Sequence, residues 1–283
     1  MTRTATFGVG KREGHDSSPF YQRFDSIVES TDITVNIPEE EDVIYNSSSE
    51  KMAELPDNSV ALMVTSPSYH AGKDCDIDQS FDEYLDVLYK VFAETYRVLI
   101  PGGRAAINVA NLGRKPYISL TSFVDAICLD IGYFPRGQII WQKGAGANGS
   151  CAWGTFGSAK NPVLRDLTEY INVYSKGRYS RFDYGESTIS KADFMRDTLN
   201  VWHIPPESAK RIGHPAPFPV ELPKRLIDLY TYRYDLVLDP FMGSGTSAVA
   251  AYLRDRRYVG YELDPLYIEL AGERLWNIPE REI

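Results

Sequence analysis

Apolar residues recur along this chain with two alternating periods. Short apolar runs at 43–45, 60–64, 104–109, 137–141, 170–174, 236–239 and 258–261 read as strands. Between the second strand and the third, Phe81, Leu85, Leu88, Phe92, Tyr96 and Leu99 fall at helical spacing and predict a helix over 81–99, which Pro101-Gly102-Gly103 stops. Further helices are predicted over 118–131, 221–232, 247–254 and 265–276. Strands alternating with helices imply an α/β fold, a mostly parallel sheet of seven strands with helices on both faces.

Three stretches escape this pattern. Residues 1–40 have weak periodicity and read as an N-terminal extension to a single domain over 41–283. Residues 144–166, rich in Gly, Ala, Asn and Ser, are too long for an ordinary connection, and 177–213 is a second irregular stretch. Loops of this length in a compact domain are usually functional or disordered. The whole chain, 283 residues, suffices for one large α/β domain.

Composition narrows the function classes. No run of about 18 apolar residues spans a membrane, and the polar N-terminus lacks an apolar signal core, so a cytoplasmic location is expected. Cys75, Cys128 and Cys151 lack metal-ligand spacing, and the four histidines form no HxxxH or HxH pair, so no metal is expected. A net charge of −9 argues against non-specific nucleic-acid binding by the whole surface. Residues 136–181 nevertheless hold seven basic side chains against two acids, compatible with one directed polyanion site.

The candidate chemistry begins at Asp239-Pro240-Phe241-Met242-Gly243-Ser244-Gly245-Thr246, a strand end, a glycine turn and a helix start. Glycine lets backbone N–H groups approach a ligand at such a turn. No Gly-Lys-Ser/Thr follows, and the spacing is not GxGxxG. Glu262 stands at the end of the next strand, where a carboxylate accepts hydrogen bonds from ribose hydroxyls. A turn plus a ribose acid fits an adenosine cofactor without a pyrophosphate.

The glycine turn resembles the S-adenosyl-L-methionine (AdoMet) motif of amino-directed DNA methyltransferases. Thr65-Ser66-Pro67-Ser68-Tyr69 resembles their catalytic tetrapeptide, usually Ser/Asp-Pro-Pro-Tyr, and its position upstream of the glycine turn is the permuted order of the β group. His214-Pro-Ala-Pro-Phe218-Pro219, Trp141-x-Lys143 and the 169–176 block are also similar to segments of that group. The resemblance covers about 43–275. It implies a Rossmann-like AdoMet-dependent methyltransferase fold, with Asp239, Pro240, Phe241, Gly243, Ser244, Gly245, Thr246, Phe218 and Pro219 around the cofactor and Glu262 on its ribose.

The same resemblance implies that the Ser66 hydroxyl and the Pro67 carbonyl accept from the exocyclic amine of a base, while Tyr69 stacks on it. An amine inside duplex DNA is out of reach, so the base is expected to be flipped out. Serine at position 66 favours N4 of cytosine, with N6 of adenine the alternative. A non-catalytic DNA-binding module that retains AdoMet and an RNA or small-molecule methyltransferase stay open as other readings. Ser68 departs from the family's second proline and removes a restraint on φ. For double-stranded DNA, Lys143, Asn148, Ser150, Trp153, Lys160, Asn161 and Arg165 are the candidate contacts, a mixture of base-reading amides and phosphate-holding bases. A homodimer and a cognate restriction endonuclease are further partners the resemblance suggests.

Overall fold

A computed structural model describes residues 23, 28–68, 80–113, 116–144, 154–212 and 217–278. The chain divides into two compact units, 1–31 and 32–283, and the second carries every element that follows. Tyr69, Asn148, Ser150, Trp153 and His214 lie outside the described residues.

Eight strands form one sheet among the described residues: β1 (Val43–Tyr45), β2 (Val60–Thr65), β3 (Leu99–Val109), β4 (Tyr133–Gln142), β5 (Thr168–Lys176), β6 (Val201–His203), β7 (Leu236–Asp239) and β8 (Arg257–Tyr261). Their order is β1-β8-β7-β2-β3-β5-β4-β6. Only the β3–β5 and β5–β4 pairings are antiparallel, so β5 alone runs against the rest. The expected seven strands are corrected to eight by β6, which lies within 177–213. That stretch also holds α3 (Lys191–Asp197) and α4 (Ala209–Ile212), so it is not irregular throughout. A three-residue strand and two short helices are too brief to show a period.

The remaining helices are α1 (Phe81–Val98), α2 (Leu120–Ile131), α5 (Glu221–Tyr230), α6 (Thr246–Leu253) and α7 (Pro265–Trp276). A reciprocal capping box starts α1: Ser80 Oγ accepts from the Glu83 amide, and the Glu83 carboxylate accepts from the Ser80 amide. The helix ends at Val98, and Pro101-Gly102-Gly103, expected to be its stop, lies inside β3. Gly102 makes this tolerable, because its φ of +82° is open to glycine and a Cβ there would sit 2.5 Å from the Ser180 carbonyl oxygen.

Alternate residues of the central strands feed two cores, as a pleated strand requires. Met63, Ala105, Ile107 and Leu238 pack with Leu88, Phe92, Leu120 and Val124 of α1 and α2. Leu62, Val64, Ala106 and Val237 pack with Leu222, Leu226 and Ile227 of α5 and Ala248 and Ala251 of α6. The sheet is thereby covered on both faces, which explains its unbroken apolar runs.

This topology fixes where a ligand binds. From β2 the chain moves to β3 on one side, and from β7 it moves to β8 on the other. The carboxyl ends of β2 and β7 therefore flank a switch point, the ordinary ligand crevice of an open α/β sheet.

Candidate active site

Both sequence motifs open at that crevice. Thr65 ends β2 and Asp239 ends β7, and the Thr65 hydroxyl donates to Asp239 Oδ1 at 2.6 Å. Ser247 Oγ of α6 donates to Asp239 Oδ2 at 2.6 Å, and the Phe241 amide donates to Oδ1 at 3.1 Å. Asp239 is 1% exposed, and burial pushes its carboxyl up to about 6, against the three hydrogen bonds that favour the ionised form. It is a clamp between β2 and the glycine turn, which its place in the cofactor motif did not reveal.

The turn itself is held from three sides. Gly243 and Gly245 have φ values of +50° and +77°, and Gly245 packs so closely on α7 that a Cβ there would lie 2.6 Å from Ala271 Cβ. Arg274 of α7 donates to the Ser244 carbonyl, to Ser244 Oγ at 3.0 Å and to Thr246 Oγ1 at 3.1 Å. Ser49 Oγ donates to the Pro240 carbonyl at 2.8 Å. Arg274 and Ser49 carry no sequence signal, because they reach the turn from segments distant in the chain.

Glu262 follows β8 and is half-buried. Its Oε2 accepts from the Gly243 amide at 2.7 Å and its Oε1 from the Asp264 amide at 2.9 Å. Asn46, after β1, donates to the carbonyls of Glu262 and Leu263 at 3.0 Å. The expected ribose acid thus stands beside the glycine turn and is oriented by backbone amides. Phe218 is half-buried against the α5–α6 core, and Pro219 is buried next to it. Helix α6 starts from Gly245 without a side-chain cap, so its first-turn N–H groups suit an anionic ligand group.

In the loop after β2, Ser66 is half-buried, Pro67 buried and Ser68 exposed. The Tyr84 hydroxyl of α1 donates to the Ser68 carbonyl at 2.6 Å, which anchors the loop from below. Ser66 Oγ accepts from Asn108 Nδ2 of β3 at 3.3 Å. Asn108 Nδ2 also donates to Glu169 Oε2 at 2.6 Å, and Glu169 Oε1 is ion-paired with Lys143. Because β5 runs opposite to its neighbours, its first residues lie at the same sheet edge as the last residues of β2, β3 and β4.

The candidate DNA contacts divide. Lys143 is committed to Glu169 and lies 5.0 Å from the Trp141 ring centroid. Lys160 and Asn161 are exposed and Arg165 half-exposed, between the end of β4 and the start of β5. The basic run over 136–181 is not one face. Arg136 stacks on Tyr179, Lys176 bonds Asn58 and the Arg97 carbonyl, and Arg181 pairs with Asp183 and Asp235. These lie towards the opposite end of β4 and β5, separated from Lys143 by most of a strand length. Charge counted along sequence cannot see this, because a strand carries its two ends about 30 Å apart over nine or ten residues.

A doubly wound α/β sheet with a glycine turn and a Ser-Pro loop joined at its switch point defines a nucleotide-cofactor enzyme of the methyltransferase class. The comparisons with known proteins agree: residues 60–273 match the DNA methylase family model of N6 and N4 methyltransferases, and the chain belongs to that family. It is 30% identical to the type II methyltransferase M.MjaI of Methanocaldococcus jannaschii, over 87% of this chain and 93% of the relative. It also resembles the solved structure of TTHA0409 of Thermus thermophilus, described as a putative DNA modification methylase and complexed with S-adenosyl-L-methionine. The match has a TM-score of 0.68 and 31% identity, over 82% of this chain and 93% of that one. PvuII DNA methyltransferase, described as cytosine-N4-specific, shares the fold with a TM-score of 0.68 at 20% identity, over 87% and 90% of the two chains. Among the described residues no helix is long and apolar enough to cross a membrane.

Proposed function

We propose that this DNA methyltransferase transfers the methyl group of AdoMet to N4 of a flipped-out cytosine. The observation that carries the reading is the join between its two motifs, the 2.6 Å bond from Thr65 to Asp239. It holds the Ser66-Pro67 acceptors and the glycine turn on facing sides of one crevice. AdoMet supplies an electrophilic methyl group. The turn from Pro240 to Thr246 and the capless start of α6 suit its amino-acid end, Glu262 its ribose, and Phe218 and Pro219 an adjoining wall.

The residues of the chain then favour attack by a weak nucleophile. The lone pair of an exocyclic amine is delocalised into the base, and acceptors on its N–H groups favour the pyramidal nitrogen that attacks. Ser66 Oγ and the Pro67 carbonyl are those acceptors, with Tyr69 stacking on the base. Attack would bond the nitrogen to the methyl carbon as the carbon–sulfur bond breaks with its electron pair left on sulfur, and the proton that the nitrogen loses would pass to solvent. Pro67 and the Tyr84 anchor keep the loop near the attack geometry.

Serine rather than aspartate at position 66 supports cytosine over adenine. Lys160, Asn161 and Arg165, with Asn148, Ser150 and Trp153, are assigned to DNA in the 144–166 loop, and within 177–213 the part from β6 onward, whose His203 pairs with Gln142, is the second candidate recognition region. A homodimer and a cognate restriction endonuclease belong to the same proposal. The test is a nucleoside digest of DNA methylated by the pure protein, read by mass spectrometry. N4-methylcytosine is expected; N6-methyladenine alone refutes the choice of base, and transfer to neither refutes the reading.

A further inference from the structure

We infer that Lys143, Glu169 and Asn108 form a positioning relay for the Ser66 acceptor, and that Lys143 serves this relay rather than a DNA phosphate. The inference rests on the proposed methyl transfer and assigns the residues behind it.

Four strands bring the relay and Ser66 together. Thr65 of β2 stands in register with Ile107 of β3, so Ser66 and Asn108 are neighbours. Trp141 of β4 is the cross-strand partner of Glu169 of β5, and Lys143 follows two residues after Trp141 on the same side. Asn108 is 2% exposed and Glu169 7%. A charged carboxylate that deep is costly unless paired and hydrogen-bonded. Lys143 neutralises it, and the Trp141 face adds a cation–π contact to the ammonium.

The direction of the chain of bonds is fixed by chemistry. An ionised carboxylate only accepts, so the Asn108 amide presents its NH2 to Glu169 and, from the same nitrogen, to Ser66. The Ser66 oxygen therefore meets the amide with one lone pair, which sets where its other lone pair points. That direction matters because the acceptor orients the amine nitrogen for in-line attack on the methyl carbon, opposite the leaving sulfur. The charge-assisted bond to the carboxylate fixes the orientation of the amide, and with it the N–H that meets Ser66. A phosphate contact needs Lys143 available to an anion, and here its ammonium is bound to a buried one.

The test is steady-state methylation by full-length Glu169→Gln, Lys143→Met and Lys143→Arg proteins, with AdoMet affinity measured by calorimetry. Glu169→Gln and Lys143→Met are each expected to lower kcat by about tenfold or more, the loss typical of a charge-assisted hydrogen bond. AdoMet Kd and KM for DNA should stay near wild type, because the cofactor side of the crevice contains none of the three residues. Lys143→Arg keeps the charge and should recover most of the rate. The double variant Lys143→Met/Glu169→Gln should be no slower than the worse single one, as residues acting in one unit are not additive. Lys143→Met with normal kcat, raised KM for DNA and a salt slope shallower by about 1 makes Lys143 a phosphate contact and overturns the inference. Normal kcat in both single variants overturns it as well. If Glu169→Gln fails to bind AdoMet, the partly exposed Lys143 carries the test, since its replacement disturbs no packed core. A wild-type protein that transfers no methyl group to DNA instead refutes the function on which the relay rests.

Discussion

Replacing Asp239 with asparagine isolates the energetic cost of the clamp between the two motifs. The aspartate is buried, and burial holds its carboxyl at about 6 rather than the ordinary 3.8. Asparagine keeps the shape, and its carbonyl oxygen can still accept from Thr65 Oγ1 and the Phe241 amide. Its NH2 would face Ser247 Oγ, whose hydroxyl can turn to accept.

The sign follows from proton counting. Below about pH 4 the carboxyl is protonated in both states and its burial costs little. Between about pH 4 and 6 the folded protein holds a proton that the unfolded chain has released, so stability falls as pH rises. Above about pH 6 both states are ionised and the full penalty stands. The gap between 3.8 and about 6 corresponds to about 3 kcal/mol. Urea denaturation of wild type and Asp239→Asn from pH 4 to pH 8 measures it as a difference, which cancels the other groups titrating in that range. The asparagine variant should gain about 3 kcal/mol on the wild type across this window, nearly all of it between about pH 4 and 6. A difference that stays flat with pH, or that moves against the variant as pH rises, refutes the account of a buried and strained ionisation.

Other substitutions probe neighbouring contacts. Gly245→Ala combines a φ of +77° with a Cβ 2.6 Å from Ala271 Cβ, and should lower both stability, by about 1–3 kcal/mol, and AdoMet affinity. Denaturation and calorimetry read the two separately. Tyr84→Phe removes the 2.6 Å bond to the Ser68 carbonyl and should reduce kcat more than AdoMet affinity, at a stability cost of about 1 kcal/mol. Ser68→Pro should retain activity, because residue 68 is exposed and its anchoring bond runs through the carbonyl that proline keeps. Abolished turnover with normal folding and cofactor binding counts against the loop argument. Leu88→Ala, at a fully buried site between α1 and the sheet, should cost about 2–5 kcal/mol in a denaturant titration and leave the AdoMet Kd of the folded fraction unchanged.

The strands buried on both faces, the long helices and the two chemical motifs are local signals, so the sequence by itself determined them. An apolar run such as Val60–Thr65 can only be satisfied between two helical layers, and a glycine turn between a strand and a helix announces a ligand wherever it occurs. Glu262 was legible for the same reason, as the end of the strand that follows the turn. The edge strand β6 was not, since three residues have no period and their place comes from pairing with β4. Nor was the division of the basic run between two ends of the sheet, which depends on strand direction.

Only tertiary structure decided which partners the motif residues take. Asp239 and Lys143 are both expected ligand contacts, because each occupies a motif position and carries charge. Folding commits Asp239 to Thr65, Ser247 and the Phe241 amide, and it commits Lys143 to Glu169. The partners other than Phe241 lie on other strands or helices, and a reversed β5 is what brings Glu169 to the sheet edge where β2 and β3 end. A side chain's charge is written in the sequence, but what neutralises that charge depends on which distant segments the sheet places beside it.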